Sequence, residues 1–572
     1  MRSTKKKKMP RLRESAKMND AEKQDTANGK QKKPKNKIGA LDFETDPFRK
    51  GYAVEPFAWG VLYEDGTYYD GWGDDCVESL ADHLRDCDPC LLYAHNGGRF
   101  DFLFMSKFLD QDATIFDGRI VRCKSGNAEL RDSYLILPHA LSEIGVKLFT
   151  DYRKFARGKR ELHKKSIMKY LKQDCQTLLD QVLTYRSRFG DSLTVASSST
   201  KLLNKIHKEN YGRAIARLSL NEDAYFRKFY FAGRNETFEL GILNDNWKMF
   251  DVRSMFPAVM RDEKHPTGAE YLTGTDLNEQ TDLIHFRGYS RGALPVRTPN
   301  GGVEFPTGTS DFFVSGYELR KALALGQVSI QRVYNAIEFT RRERFREFVD
   351  TVGEERMVAI RNGHQADAGN LKQALVRAYG KQAINLDKLS SWKILPPLSE
   401  IEPALVKELE EEGWQPSVPG DRASFWCRPA GLIEKLRAVR HVALAASITG
   451  AARARLMDAL SLCDRPIYCD TDGIICRELH LPVGEEIGQW RLIDQGIEAA
   501  IAAKKCYVLS DEAGARRWAS KGNDLAPADI KRLAEGAVIK WHASKPTFSI
   551  RTMNTYLSRE FKGSKLLRSA AA

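Results

Sequence analysis

The stretch PIYCDTDGIIC, Pro466 to Cys476, sets two aspartates two residues apart between short apolar runs. Asp472-Gly473 between β-prone segments is a strong hairpin signal, so a plain turn is one sufficient reading. The other is a metal site, in which the hairpin tip presents Asp470 and Asp472 together and an acidic residue from elsewhere in the chain completes the set. The rest of the sequence decides between them.

A partner is offered upstream by LGILNDNWKMFDVRSMFPAVM, where Met249 and Phe250 end a strand-like run and Asp251 follows. Pro257 falls where the first turn of a helix tolerates proline. Asp251 is either a helix N-cap, the common use of such an aspartate, or a strand-end carboxylate placed to hold a metal bearing a triphosphate.

A second acidic set lies near the start. In KIGALDFETD, Ile38, Leu41 and Phe43 read as a buried strand, and its period of two puts Asp42 and Glu44 on one face. Side by side on a buried strand, two carboxylates repel unless a cation lies between them; at a solvated strand end they need none. CLLYAHNGGRFDFLFM then gives a strand, a Gly97-Gly98 loop and Asp101 at the loop's end. SIMKYLKQDCQTLLDQVL reads as an amphipathic helix with Tyr170 and Asp174 four apart, hence on one face. Asp42, Glu44, Asp101 and Asp174 are the inventory for two divalent cations, with Tyr170 placed to orient a water.

Bulk properties bound the class. A chain of 572 residues exceeds one core and implies roughly two to four domains. Its 42% hydrophobic and 10% aromatic content is that of a soluble globular protein. Residues 1–37 hold fourteen Lys or Arg against four acids, so most of the net charge of +13 lies in this tail and the remainder is near neutral. The tail has too few apolar residues to fold and is either a solvated terminus or a polybasic arm giving salt-sensitive affinity for nucleic acid. There is no secretory h-region and no run of eighteen apolar residues, which points to a soluble, intracellular protein without a membrane partner. Ten scattered cysteines suit a reducing compartment. Cys87 and Cys90, with Cys76 and His83 upstream, are candidate zinc ligands, but a second matching pair is missing.

Taken in order, Asp42-Phe43-Glu44, Asn96 to Asp101, and Tyr170 to Asp174 resemble the three motifs of DnaQ-like, RNase H-fold 3′→5′ exonucleases. DVRSMFP and PIYCDTDGIIC resemble motifs A and C of family B DNA polymerases, LKQALVRAYGKQA their fingers motif, and Lys505-Cys506-Tyr507 their primer-gripping motif. The early start of the exonuclease motifs and the compact length resemble the protein-primed polymerases of bacteriophages and linear plasmids.

The resemblance implies an α/β and α+β multidomain fold: an RNase H-like exonuclease domain over 38–195, then a right-hand polymerase over 196–572. Palm motifs fall at 251–260 and 466–476, fingers at about 336–385, a thumb at about 515–572, and insertions at about 286–335 and 389–435 for the priming protein and for processivity. It implies two Mg²⁺ per active site, with Mn²⁺ as a substitute, held by Asp42, Glu44, Asp101 and Asp174 in one and by Asp251, Val252, Asp470 and Asp472 in the other. Phe256 would exclude a ribose 2′-hydroxyl, Lys372 and Arg361 would hold the triphosphate, and Tyr379 would back the nascent pair.

DNA contacts would come from His95, Asn96, Phe100 and Ser133 at the single-stranded 3′ end, Phe100 being otherwise a core aromatic. Further contacts would come from Tyr230, Gly233, Lys381, Arg453, Lys505, Tyr507 and Lys521. Lys154 and Lys159 are alternatives for a basic residue assisting hydrolysis. Tyr134, Gly473, Val376-Arg377 and the order Tyr230-Phe231-Ala232-Gly233 depart from the family pattern. Implied partners are template and primer DNA, dNTPs, a terminal protein and a single-stranded-DNA-binding protein, acting on a monomer in the host cytoplasm. The competing readings are a nucleic-acid-primed polymerase, an exonuclease with a vestigial polymerase half, and an inactive DNA-binding factor.

Overall fold

The strand Lys37–Thr45 is buried on both faces, and its alternation explains why. Leu41 and Phe43 join the core beneath the helix Cys76–Asp86, while Ile38 and Ala40 join the core formed with the long helix Lys164–Phe189. Asp42 and Glu44 therefore share the face covered by the helix that carries Tyr170 and Asp174. In this computed structural model the described residues are 36–539, apart from 49–52, 117, 145–149, 420–421, 439 and 522–524, together with 547–548 and 555–556. The basic tail lies outside them, except that Lys37 already belongs to the first strand.

That strand sits within a ten-stranded sheet. From one edge the order is Gln415–Pro419, Ser424–Pro429, Ser390–Leu395, Asp112–Phe116, Arg119–Ser125, Ala128–Asp132, Cys90–Ala94, Lys37–Thr45, Pro56–Tyr63 and Tyr68–Trp72. Only Lys37–Thr45 with Cys90–Ala94, and Cys90–Ala94 with Ala128–Asp132, pair in parallel; the other neighbours are antiparallel. The span expected as a second insertion, 389–435, thus supplies three strands that extend this sheet through Trp392↔Ala113 and Lys393↔Asp112.

A seven-stranded antiparallel sheet forms the second centre, in the order Gly514–Ser520, Cys506–Asp511, Trp490–Ala503, Gly241–Val252, Gly473–Cys476, Tyr468–Asp470, Asn235–Thr237. The helix Met255–Asp262 and the alanine-rich helix Val442–Ser461 pack on it. Small side chains let Val442–Ser461 be buried almost all round. The helices Arg346–Arg361 and Gln365–Arg377 form a hairpin turned at Gly363, whose φ of +75° suits glycine. Four strands, Tyr271–Gly274, Leu283–Arg291, Thr307–Ser315 and Val328–Phe339, make a separate sheet wider than the expected insertion at 286–335. The expected thumb boundary at 515 falls inside the strand Gly514–Ser520, and most of the span beyond 539 lies outside the described residues.

Arg453, expected on nucleic-acid phosphates, is instead a framework residue. Its Nε and Nη2 donate to the two oxygens of Glu318 at 2.7 and 2.9 Å, and its Nη1 donates to the carbonyls of Phe231 and Ala232 at 2.6 and 2.8 Å. The side chains of Arg453 and Glu318 are 2% and 0% exposed. Deleting one partner strands a buried charge, at a cost of about 3–5 kcal/mol. Glu318→Ala is expected to lower the denaturant midpoint accordingly, and Glu318→Leu with Arg453→Met to recover more than half of the loss; full stability of the single variant would refute the assignment.

Two candidate acidic centres

The hairpin Tyr468–Asp470/Gly473–Cys476 turns through Thr471 and Asp472, with Asp470 paired to Gly473. Thr471, not Gly473, adopts the left-handed conformation, at φ +63°, a strained choice for a β-branched residue. Two contacts hold it: its amide donates to the Arg234 carbonyl at 2.6 Å, and its side chain packs on Gly233, where an added Cβ would come within 2.6 Å of Thr471 Cγ2. Gly233, expected at DNA, therefore also serves as the backbone seat of the turn. Gly473 lies in a strand, and a Cβ there would find ordinary contacts, 3.5 Å to Phe250 O and 3.9 Å to Asp251 Oδ1. The turn expected at Asp472-Gly473 is made instead by Thr471 and Asp472.

Antiparallel pairing puts Gly473 opposite Asp251, and the Val252 amide donates to the Asp472 carbonyl at 2.8 Å. Asp251 and Asp472 are thus brought together across one ladder. Burial, then the charges of Asp251 and Asp470, push the Asp472 carboxyl up to about 7. Burial raises Asp251 as well, against the opposing charges of Arg491, Arg517 and Lys372. Asp470 is engaged differently: Lys505 Nζ lies 3.0 Å from its Oδ2, and the Tyr468 hydroxyl donates to the same oxygen at 3.4 Å. Tyr507 is buried beneath, its ring 5.1 Å from that of Tyr468. Lys521 is joined to this corner by a backbone bond to the Lys505 carbonyl at 3.0 Å.

The Phe256 and Tyr379 rings meet at 4.9 Å beside this pair of acids. Asp472 and Tyr230 charges add to burial in raising the Tyr379 hydroxyl. Tyr379 stands just past the end of its helix at Arg377 rather than within it. Arg361 ends the facing helix at an exposed position next to the hairpin loop, so it does not stand opposite Lys372; Arg356, one turn and more back along the same helix, feels the charge of Arg253 in the motif of Asp251. Arg491 reaches Asp251 Oδ2 at 3.5 Å from the neighbouring strand. Arg356, Arg491 and Arg517 were not singled out from sequence, since nothing in their spacing marks them; only the strand register and the helix hairpin bring them in.

In the first sheet, burial and then the charges of Asp42, Asp174, Glu44 and Asp101 hold the Cys175 thiol well above its ordinary value, so all four acids lie within electrostatic reach of that side chain. Glu44, Asp101 and Asp174 are buried, at 7%, 2% and 4% exposure. Asp101 opens the turn Asp101–Phe104 and accepts from the Phe43 amide at 3.3 Å, which fastens the loop to the strand of Asp42. Burial pushes its carboxyl up to about 7. Tyr170 is buried, and its hydroxyl lies 3.1 Å from that of Tyr152.

Asn96 takes the left-handed backbone, φ +63°, that opens the buried Gly97-Gly98 loop, and Phe100 packs edge-on to Phe104 at 5.0 Å and Phe48 at 5.8 Å. Ser133 is fully buried and donates to the Ala94 carbonyl at 3.2 Å, while His95 uses its two ring nitrogens on Ser133 Oγ and the His139 carbonyl at 3.1 and 2.9 Å. Both were expected at DNA; both instead brace the loop from within. A buried pair missed from sequence, Arg119 with Asp132, completes that brace: Asp132 accepts from the Gly98 and Tyr134 amides at 3.1 and 2.8 Å, and Arg119 lies 4.9 Å under the Tyr134 ring.

Among the described residues no three His, Cys, Asp or Glu side chains form a ready-made cation cage. The zinc alternative falls with that: the Cys87 and Cys90 sulfurs lie 3.7 Å apart without a complete ligand set. For the acids the open arrangement fits Mg²⁺, which takes one or two carboxylates and completes its shell with water and phosphate oxygens. Carboxyls raised to about 7 by burial and by like charge, as at Asp472, are those a cation would return to the ionised state.

Two separate acidic centres, one on an exonuclease-type sheet and one on an antiparallel sheet faced by a helical hairpin, define the right-hand polymerase class of fold with an appended exonuclease-like half. Comparison places it further. The model of organellar and viral type B DNA polymerases matches residues 146–413. The DNA-directed DNA polymerase of Enterobacteria phage PRD1 is 38% identical over 502 residues, covering 87% of this chain and 88% of that protein. A probable DNA polymerase of Agaricus bitorquis is 23% identical over 384 residues, 52% of this chain and 48% of that one. Phi29 DNA polymerase complexed with primer-template DNA and incoming nucleotide superposes with a TM-score of 0.70 at 18% identity, over 92% of this chain and 99% of that one. The chain belongs to the organellar and viral type B DNA polymerases.

Gly233→Ala is expected to displace Thr471 and reduce nucleotide addition by an order of magnitude or more while leaving hydrolysis of single strands intact; equal losses in both assays would show a general folding defect instead. Gly473→Ser is expected to change nucleotide addition by no more than a few-fold.

Proposed function

We propose that this chain is a template-directed DNA polymerase with a 3′→5′ proofreading exonuclease, primed by a protein hydroxyl and acting with strand displacement on a linear viral or plasmid genome. The observation that carries the reading is the meeting of Asp251 and Asp472 across one strand pair, within reach of the Lys372 charge and beside the tilted ring pair of Phe256 and Tyr379. Two Mg²⁺ ions, or Mn²⁺, held by Asp251, Asp472 and the Val252 backbone would lower the pKa of the attacking hydroxyl and neutralise the departing pyrophosphate.

The chain's own residues supply the rest. Lys372, whose charge reaches Asp251, offers a point charge to the triphosphate, aided by Arg356. Phe256, packed against Tyr379, would exclude a ribose 2′-hydroxyl. Lys505, held on Asp470, grips the primer terminus with Tyr507 packed beneath it. In the other centre, Tyr170 positions a water, and Asn96 and Phe100 receive the frayed 3′ end, Phe100 by sequence-tolerant stacking. Lys154 belongs to the turn whose Tyr152 and Phe155 contact Tyr170, which favours it over Lys159 as the basic residue assisting hydrolysis.

Phage PRD1's polymerase and phi29 polymerase on primer-template DNA support DNA and dNTPs as ligands. A terminal protein, a single-stranded-DNA-binding protein, a monomeric state and the host cytoplasm belong to the same reading. Among the described residues no helix is long and apolar enough to cross a membrane. Asp472→Ala is expected to reduce incorporation of labelled dNTP by at least a thousandfold and spare degradation of single strands, and Asp42→Ala to do the reverse. Loss of both activities in either variant would sink the two-site reading. Transfer of label from dNTP to a candidate priming protein tests the priming step.

A further inference from the structure

A cleft of about 270 Å³, lined among others by Arg131, Ser192, Ser197, Lys201, Asn204 and Lys381, lies where the two halves of the molecule meet. Arg131 comes from the strand Ala128–Asp132 of the first sheet, Ser192 from the loop after the helix Lys164–Phe189, and Lys201 and Asn204 from the helix Val195–Tyr211. Lys381 follows Tyr379 by two residues, and Thr200 ties the helix to that segment by donating to the Ala378 carbonyl at 3.1 Å. The cleft is therefore joined to the wall of the nucleotide pocket on one side and to the exonuclease-type sheet on the other.

Its charges are not balanced. Arg131 is neutralised by Glu129 and Asp191, at 2.6 Å to the former. Lys201 donates to the Asp191 backbone carbonyl at 2.8 Å and Lys381 to the Ser197 hydroxyl, both neutral acceptors. Burial and the neighbouring Lys201 lower the Lys381 ammonium below its ordinary range. Ser192 is only 6% exposed, and its hydroxyl has no hydrogen-bond partner; Asn204 Oδ1 is buried in the same condition. Two ammonium groups and an idle buried hydroxyl around a small polar space fit a tetrahedral oxyanion, to which the Asn204 Oδ1, an acceptor, adds no bond.

We propose that this cleft binds a phosphate group, one phosphodiester of the single strand that passes between the two acidic centres. The inference rests on the polymerase and exonuclease reading for the identity of the strand. A free polyphosphate offers the same chemistry but gives no reason for the cleft to be built from both halves of the chain; a strand that visits both centres does.

The test uses the full-length protein and a labelled single-stranded oligonucleotide, with binding followed by fluorescence anisotropy across a salt series in chelator, so that no chemistry intervenes. Lys201 is solvent-exposed, which makes Lys201→Ala a mild change to the fold. It is expected to weaken binding about fivefold and to flatten the salt slope by about 0.7, the share of one phosphate contact on a single strand. Ser192→Ala is expected to weaken binding with the slope unchanged. Wild-type affinity and slope in both variants would overturn the proposal. So would thermal stabilisation by inorganic tripolyphosphate that Lys201→Ala abolishes while strand affinity stays constant. Incorporation by the unmodified enzyme on primed template is scored separately: its failure, with the binding losses present, would remove the polymerase reading and leave the cleft.

Discussion

Everything at the polymerase centre depends on one β-ladder, the pairing of Gly241–Val252 with Gly473–Cys476. It brings Asp251 and Asp472 together in a partly buried place, where like charges are costly and each carboxyl is driven toward its neutral form. A backbone bond from Val252 to Asp472 fixes the approach, so the repulsion cannot relax by sliding the hairpin away. The neighbouring strand then adds Arg491, and the helical hairpin adds Lys372, each meeting the acids with positive charge. The site is built as an electrostatic tension that a doubly charged cation would resolve.

The turn that carries Asp472 is strained, and its support comes from far away in sequence. Thr471 keeps its left-handed backbone because Gly233 leaves it space and Arg234 offers a carbonyl. The carbonyls of the preceding residues, Phe231 and Ala232, are in turn held by Arg453. Arg453 is fixed by Glu318, which caps the helix Gly316–Ala324 next to the separate four-stranded sheet. A continuous chain of bonds thus runs from that sheet to the tip of the acidic hairpin.

Much of this was legible in the sequence where a local period carried it. Strand alternation placed Asp42 and Glu44 on one face, and helical spacing placed Tyr170 with Asp174, because each pair lies within one element. Motif order grouped the acids into two sets, and the fold places one set on each of the two large sheets. What was not legible depended on distant partners. Asp472-Gly473 looked like the turn because glycine is the usual source of left-handed backbone, whereas here the seat at Gly233 lets Thr471 take that role. Arg453 looked like a phosphate ligand because nothing near it in an alanine-rich helix announced Glu318. Ser133 and His95 looked like strand contacts until the loop packing turned them inward. The basic tail remains outside the described residues.

The three strands within 390–429 join the first sheet at Asp112–Phe116, yet in the chain they fall between the helical hairpin over 346–377 and the helix Val442–Ser461. The sheet of one half is therefore finished by polypeptide belonging to the other, much as a stitch passes through two layers of cloth. A fragment ending near residue 195 would leave the Asp112–Phe116 strand with a bare hydrogen-bonding edge, a surface prone to self-association. The two halves are in this sense a single folding unit, and the nascent chain can complete its first sheet only after the strand Ser424–Pro429 has been made.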